Sequence, residues 1–391
     1  MSTLNTPGTP AWLRERNERA SLQLLFEHGA LTRNRISELS GLSKPTASQI
    51  VARFEQLGIV EPVGAISGRR GPNAVSYGVQ VQRARGVAVD VSEFLIRSCV
   101  VDALGVEHPI VEVEVGADQR RSAESDVRDA IDAACAAADV DSSTVQMVAL
   151  SLPGSVDPRG DRLSFIDTLP GWPTEGIRKH LESSLGVQVL IENDVNLAAI
   201  AERAEGVAAG ASNFALLWMG EGLGLAFDLG GALHSGAAGG AGEIGYLPVP
   251  RDAVHIDPEA RSLQDLLGEP AVMEIARAHG IVGDDHQVLA ALGDHPDRAE
   301  VLAEIARRAA VGIIPVLAIL APELIVLGGP VGAAGGDLLA DLVRAEIERE
   351  TRWHPQVIHT AVRDRPVLRG AREILVAQLR ARLLEELSSP A

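Results

Sequence analysis

Residues 32–60 allow few structures, because they contain two short helix patterns separated by a single turn. Gly41 supplies the turn with the backbone freedom that it needs. Ser43 stands at an N-cap position with Pro45 in the first turn, so the second helix is predicted to begin at about Lys44. This spacing is typical of a helix-turn-helix, a motif that usually enters the major groove of DNA.

The second predicted helix has an apolar side and a polar side, and the polar side carries no acid before Glu55. Short, uncharged or basic side chains can approach phosphates and hydrogen-bond to base edges, whereas carboxylates would be repelled. The predicted DNA contacts of this helix are Ser43, Lys44, Thr46, Ser48, Gln49 and Arg53.

A hairpin wing is predicted after this helix, between strand patterns at residues 59–60 and 75–79. The connecting sequence GAISGRRGPN contains glycines and a proline that exclude a helix across its tip. Arg69 and Arg70 lie at that tip, and guanidinium groups suit both phosphates and a narrow minor groove. We therefore predict that both arginines contact DNA.

The charge distribution favours DNA binding over the alternative, a helical dimerisation module with a solvated loop. Residues 1–85 contain 11 Lys and Arg against 6 Asp and Glu, a net charge of +5, whereas the whole chain has −18. A basic module is thus joined to an acidic body, which an average over the chain would hide.

The rest of the chain reads as an α/β body, because strand and helix patterns alternate from residue 86 onward. The 391 residues, 46% of them hydrophobic, suffice for two or three domains. We predict a winged helix-turn-helix domain over residues 1–80, a linker over 81–85 and the body over 86–391.

Compartment signals predict a cytoplasmic protein that does not bind a membrane. Cys99 and Cys135 lie in apolar surroundings without metal-ligand spacing, which predicts buried free thiols in a reducing compartment. The first 20 residues lack the pattern of a signal peptide, and prolines interrupt the apolar run at 311–321.

Eight motifs taken together resemble the ROK family, which contains sugar kinases and sugar-responsive repressors. In chain order they are LSKPTASQIV, GRRGPN, LSLPGSVDPRGD, TLPGW, IENDVNLAAIAE, GEGLGLAFDLGG, GGAGEIGYLPV and PELIVLGGPVG. The resemblance covers nearly the whole chain and implies a two-lobed fold of the actin-like ATPase (ribonuclease H-like) type with a sugar cleft between the lobes. One lobe would comprise residues 86–200 with a C-terminal helix at 369–387, and the other residues 201–368.

Two loops argue against the kinase branch of that family. Its kinases carry Asp-x-Gly-Gly-Thr after the first strand and Gly-Thr-Gly in a second phosphate loop, where this chain has DVSEF at 90–94 and GEG at 220–222. A carboxylate beside a phosphate costs roughly several kcal/mol at an intermediate dielectric, so Glu93 and Glu221 disfavour ATP. Asp194 matches the kinases' catalytic base, yet we predict no catalytic residue and no cofactor.

The resemblance also implies an effector site for a sugar or sugar phosphate. Amides and carboxylates suit sugars because hydroxyl groups both donate and accept hydrogen bonds. Asn193 and Asp194 are also typical helix caps, which is an alternative to ligand contact, and Trp172 fits the core better than a stacked sugar. The implied lining is Gly154, Thr168, Asn193, Asp194, Glu243, Tyr246 and Gln264.

The family's structural zinc site is not expected in this chain. Its histidine aligns with Tyr246, the last cysteine of its zinc cluster aligns with Ser262, and no cysteine follows Cys135. The ligands of a tetrahedral zinc are therefore missing, and we predict no metal.

These observations predict a transcriptional regulator, most simply a repressor of carbohydrate-related genes that acts as a homodimer or tetramer. Two recognition helices related by a twofold axis would bind an inverted-repeat operator in double-stranded DNA. An effector-independent DNA-binding regulator with a vestigial cleft is one alternative, and a sugar kinase is another.

Overall fold

The computed structural model describes residues 8–66, 74–116, 121–157, 159–164 and 169–387. The N-terminal part forms a winged helix-turn-helix, as predicted, with an antiparallel sheet in the order β1-β3-β2. Its elements are helix α1 (Pro10–His28), strand β1 (Leu31–Thr32), helices α2 (Arg33–Ser40) and α3 (Lys44–Gln56), and strands β2 (Val60–Ile66) and β3 (Ala74–Val79).

Local capping accounts for the turn between α2 and α3. Gly41 ends α2 in the left-handed conformation, with φ 70° and ψ 9°, which costs glycine little. The Ser43 hydroxyl accepts a hydrogen bond from the Thr46 amide at 3.3 Å and begins α3 at Lys44, which confirms the predicted start.

Helix α1 was not predicted from the sequence, although its start has a clear local signal. The Thr9 hydroxyl accepts a hydrogen bond from the Trp12 amide at 3.2 Å, and Pro10 occupies the first turn. Leu22 and Phe26 lie on its buried side, so α1 supplies a large part of the apolar core of this domain.

The first lobe of the body follows a 3-10 turn at Val81–Arg83. Its sheet has the order β10-β7-β4-β5-β6, in which β4 is antiparallel to β5 and parallel to β7. Arg85, the last residue of the predicted linker, pairs with Asp102 in this sheet. The elements are β4 (Arg85–Val91), β5 (Leu95–Asp102), β6 (Ile110–Glu114), α4 (Ala123–Ala137), β7 (Val145–Leu152), β8 (Ser155–Asp157), β9 (Arg162–Ser164), α5 (Ile177–Leu185), β10 (Gln188–Asn193) and α6 (Asp194–Glu205).

The second lobe has a sheet in the order β13-β12-β11-β14-β15. Numbered within each lobe, both sheets therefore have the order 3-2-1-4-5, the duplicated arrangement expected of the actin-like fold. The elements are β11 (Asn213–Met219), β12 (Leu223–Leu229), β13 (Ala232–Leu233), α7 (Leu263–Leu267), α8 (Glu269–Ala278), α9 (Asp285–Asp294), α10 (Arg298–Leu320), β14 (Leu324–Gly328), α11 (Gly329–Glu350) and β15 (Gln356–His359). Helix α12 (Pro366–Glu386) then returns to pack on β4, β7 and α6 of the first lobe.

Several elements of the second lobe differ from the predicted ones. From the sequence we predict one helix near residues 263–278, but it is split at Gly268, where the backbone is extended between α7 and α8. Helix α9 and strand β15 were not predicted, and α11 begins at Gly329 and bends at Gly336, whose φ is 56°. Glycine and proline at these positions permit both the break and the bend.

The apolar core of the winged helix-turn-helix is continuous with that of the first lobe. Leu22, Phe26 and Phe54 belong to the same buried cluster as Leu383 and Leu387 of the C-terminal segment. Across the described ranges, no helix is long and apolar enough to cross a membrane.

Candidate functional site

The polar side of α3 is open. Ser43, Lys44 and Gln49 are exposed and Thr46 and Ser48 are half-buried, while Ala47, Ile50, Val51 and Phe54 of the same helix are buried. The apolar side fixes α3 in the domain core, and the five polar residues of the prediction face outward together. Helix α3 thus presents the residue types that can bind phosphates and base edges.

Arg53, the sixth residue predicted on this helix, is engaged within the protein. Its Nη2 donates to the Leu387 carbonyl at 3.0 Å, and its Nε lies 3.5 Å from Glu18 Oε1. Only 32% of the side chain is exposed. The DNA contact of Arg53 stays a prediction. Helical spacing could not reveal its internal partner, because the Leu387 carbonyl is 334 residues away in the chain.

Three predicted site residues, Arg69, Arg70 and Thr168, lie outside the described residues. Their roles in DNA binding and in the effector site stay predictions.

The start of α6 forms one wall of the candidate cleft. Asn193 is the N-cap: its Oδ1 accepts from the Asn196 amide at 3.0 Å, and its Nδ2 donates to the Gly154 carbonyl at 2.9 Å. The capping alternative therefore applies to Asn193, which also positions the loop at Gly154. Asp194 is the first residue of the helix rather than its N-cap, and its Oδ1 accepts a hydrogen bond from the Val195 amide at 2.8 Å.

Three carboxylates from three separate elements meet beside this helix. The pKa of Asp194 is raised to about 7, mainly by burial and in part by the charges of Asp90 and Glu243. Burial also raises the pKa values of Asp90 and Glu243. The charge of Arg97, 3.8 Å from Asp90, partly counteracts the rise at Asp90. Clusters of half-buried acids destabilise a fold, and such clusters are typical of functional sites.

Two neighbours of this cluster were not among the predicted site residues. Glu192 Oε1 accepts from the Asn193 amide at 3.0 Å and from Asn196 Nδ2 at 2.8 Å, so it orients the start of α6. The Ser155 hydroxyl follows Gly154, is buried, and has no hydrogen-bond partner within the described part of the chain. A buried hydroxyl without a partner is uncommon and can be satisfied by a ligand.

The two remaining predicted effector residues differ in their surroundings. Gln264 Oε1 accepts from the Leu223 amide at 2.7 Å, and its Nε2 donates to the Glu221 carbonyl at 2.9 Å. Its amide thus holds the loop at residues 220–222. Tyr246 is 55% exposed at the end of a 3-10 turn.

The loop at residues 90–94 is held by an arginine that sequence reasoning missed. Arg121 Nη1 donates to the carbonyls of Ser92 and Glu93 at 3.2 and 2.5 Å. Its Nε donates to Asp126 Oδ2 at 2.9 Å, and only 4% of its side chain is exposed. Trp172 Nε1 donates to the same carboxylate oxygen at 3.0 Å from a buried position, so the tryptophan belongs to the core.

Ser262, which aligns with a zinc ligand of the family, makes a different interaction in this chain. The Ser262 hydroxyl accepts from the Asp265 amide at 3.2 Å in a capping box that begins α7. Across the described ranges, no group of three or more His, Cys, Asp or Glu is placed to hold a metal ion. The absence of zinc stays a prediction.

Comparisons with known proteins match both parts of the chain. The family model described as ROK family matches residues 87–378, and one described as winged helix-turn-helix DNA-binding matches residues 15–61. A protein named xylose repressor from Caldicellulosiruptor bescii is 20% identical over 397 residues, covering 95% of this chain and 98% of its own.

Two solved structures show the same fold. A ROK family transcriptional regulator described as a homologue of the E. coli MLC protein matches with a TM-score of 0.71 at 17% identity, covering 96% of this chain and 99% of its own. A ROK family glucokinase from Streptomyces griseus, in complex with glucose and AMPPNP, matches with a TM-score of 0.59 at 25% identity, covering 74% of this chain and 98% of its own.

Proposed function

This chain belongs to the ROK family and begins with a winged helix-turn-helix, and from this premise we propose that it is a DNA-binding repressor of carbohydrate-related genes. The open polar side of α3 carries the proposal, because it combines exposed Lys44 and Gln49 with a helix anchored in the domain core. The full-length similarity to a protein named xylose repressor supports the same function.

The proposed operator is an inverted repeat bound by a homodimer or tetramer. One recognition helix covers too few base pairs for strong specificity, whereas two helices related by a twofold axis would contact half-sites about one helical turn apart or a multiple of it. Arg69 and Arg70 are proposed to contact the backbone or minor groove from the wing.

A sugar or sugar phosphate is the proposed effector, bound at the carboxylate cluster. Asp194 has one oxygen without a hydrogen bond among the described groups, Ser155 has a buried hydroxyl without a partner, and Glu243 lies close enough to shift the pKa of Asp194. These groups can accept and donate the paired hydrogen bonds of sugar hydroxyls.

Kinase activity is not part of the proposed function. Glu93 and Glu221 bring a carboxylate to each loop that cradles phosphate in ROK kinases, and in the first loop the Ser92 N–H donates to the Leu95 carbonyl at 2.9 Å. Phosphate-binding loops instead present free backbone N–H groups.

The DNA-binding proposal is tested by sequencing genomic fragments bound by the purified protein and measuring affinity for the resulting repeat. We expect Gln49→Ala to change the base preference, and Lys44→Ala to weaken binding to all sequences and reduce its salt dependence. Removal of residues 1–80 should abolish binding; unchanged binding by that truncated protein would refute the assignment.

The effector proposal is tested by calorimetry across a panel of sugars and sugar phosphates, followed by operator-binding assays. Asp194→Ala should lower the affinity for the effector by about tenfold to a hundredfold and leave effector-free operator binding nearly unchanged. Asp252→Ala, a change at an exposed surface position, is the matched control.

A second candidate, an effector-independent regulator, has one observation in its favour. The amides of Asn193 and Gln264 already hold backbone groups, so part of the implied lining is committed to the protein itself. A broad panel without a binder, or a binder indifferent to Asp194→Ala, would favour this candidate.

A further inference from the structure

The recognition helix, α3, is joined to the C-terminal end of α12 by the Arg53 side chain. The hydrogen bond from Nη2 to the Leu387 carbonyl is 3.0 Å long, and the Nε to Glu18 ion pair spans 3.5 Å. Glu18 belongs to α1 and is 4% exposed, so Arg53 connects α1, α3 and the segment after α12 at one point. These two partners fix the position of the half-buried guanidinium within the protein.

A second arginine joins the same surfaces. Arg83, in the 3-10 turn between the domains, donates through Nη1 to the Leu57 carbonyl at the end of α3. Its Nη2 donates to Glu386 Oε2 at 2.9 Å. Arg83 therefore connects the same two elements as Arg53 does, the recognition helix and the end of α12.

Apolar packing fills the space between these polar contacts. Phe54 of α3 and Phe26 of α1 are buried in one cluster with Leu383 and Leu387, and the Arg380 guanidinium lies 5.2 Å from the centre of the Phe26 ring. The winged helix-turn-helix therefore rests on α12 rather than hanging from a flexible linker.

The other end of α12 is fitted closely to the helix that begins in the cleft. A Cβ atom at Gly370 would lie 1.9 Å from the Leu197 carbonyl oxygen of α6, so the two backbones touch. Asp194 is the first residue of α6. Since close-packed helices move together or repack in steps, a shift of α6 is passed on to α12.

We propose that Arg53 is a positioning residue, which fixes the recognition helix to the end of α12 and so makes operator affinity depend on the placement of α12 against α6. This inference rests on the proposed function for its readout of operator binding. It replaces the expected DNA contact of Arg53 with an indirect role and gives the effector cleft a physical connection to α3.

Salt dependence separates the two roles of Arg53. A direct phosphate contact contributes about one unit to the slope of log affinity against log salt. Arg53→Ala is expected to weaken operator binding by about tenfold or more with the slope unchanged, because it loses a charge-assisted contact within the protein. Lys44→Ala, the matched control on the open side of the same helix, is expected to reduce the slope by about one. A similar reduction in Arg53→Ala, or unchanged affinity, would overturn the proposal.

The effector response provides the second readout. Glu386→Gln breaks the Arg83 pair from the α12 side and touches neither DNA nor the cleft. It should leave effector affinity unchanged and reduce the change in operator affinity that the effector causes. A full response in both Glu386→Gln and Arg53→Ala would overturn the coupling through α12.

Hydrogen exchange in the DNA-free protein makes the test independent of the operator. Arg53→Ala should speed amide exchange in both α3 and residues 379–387, whereas Lys44→Ala should change neither segment. Unaltered exchange in Arg53→Ala would overturn the positioning role even if no operator were found. Failure of the wild-type protein to bind any inverted repeat would instead contradict the proposed function alone.

Discussion

At the scale of single residues, Asp194 should control how stability depends on pH. Its pKa is raised to about 7, so the folded protein holds this proton more tightly than the unfolded chain does. The resulting stability is fully present below about pH 4 and is lost as the pH rises through 7. A stability cost at a buried acid is expected where the residue is kept for binding rather than for folding.

Asp194→Asn should therefore be more stable than the wild type above pH 7, by on the order of a kcal/mol or more, and the difference should shrink toward pH 4. Thermal unfolding from pH 4 to 8 measures this. Asp141→Asn is a control in which the stability difference from the wild type should have the opposite sign, because hydrogen bonds from Ser143 lower the pKa of that exposed aspartate. Identical pH profiles for wild type and Asp194→Asn would show that Asp194 is solvated.

The two cysteines should be inert in the folded protein. Both are free and buried, and burial raises the pKa of Cys99 to about 11 and raises the pKa of Cys135 as well. Since the thiolate is the reactive form, neither should react with a thiol reagent at pH 8 until denaturant is added. Rapid labelling of one cysteine before unfolding would contradict the buried position of that residue.

At the scale of helices and strands, glycine marks where α12 meets α6. Gly370→Ala should destabilise the protein by a few kcal/mol, because a Cβ atom there would overlap the Leu197 carbonyl. Gly312→Ala is the matched control in the middle of α10, where a Cβ atom would make ordinary contacts at 3.7 Å and helix propensity would favour alanine. Denaturant unfolding compares them; equal stabilities would mean that α12 can shift without cost.

The elements that the sequence predicted are those with local signals. The cap at Ser43 and the turn at Gly41 depend on residues within a few positions of one another, and both match the structure. Helix α1 had such a signal at Thr9 and Pro10, and it was overlooked. Strand β15 has only four residues and gains its strand character by pairing with β14.

The candidate site was less predictable because its contacts are distant in the chain. The motifs placed Asp194 and Glu243 in one cleft by resemblance, and the structure brings their charges together with that of Asp90, which was not among the predicted lining residues. No pattern indicates that Gln264 would hold a loop 43 residues away, that Arg121 would bind the carbonyls of Ser92 and Glu93, or that Arg53 would reach Leu387. Long polar side chains find such partners only in the folded chain.

At the scale of the whole molecule, ATP should neither bind nor be hydrolysed. Magnesium ATP should not raise the melting temperature above that in magnesium alone, because a ligand stabilises only what it binds. The double variant Glu93→Gly, Glu221→Thr separates the effect of charge from that of loop geometry. If ATP stabilises this variant, the two carboxylates are what prevents ATP binding in the wild type. If ATP does not stabilise it, the loop geometry held by Arg121 is what prevents binding. Stabilisation of the wild type by ATP would contradict the prediction.

The position of α12 under the winged helix-turn-helix also orders events during synthesis. The ribosome releases residues 10–79 well before residues 366–387, and at roughly 5 to 20 residues per second the interval is on the order of tens of seconds. Throughout that time Leu22 and Phe26 have no α12 on which to pack. A nascent chain therefore cannot place its recognition helix as the finished protein does, and under the proposed coupling full operator affinity has to await synthesis of α12.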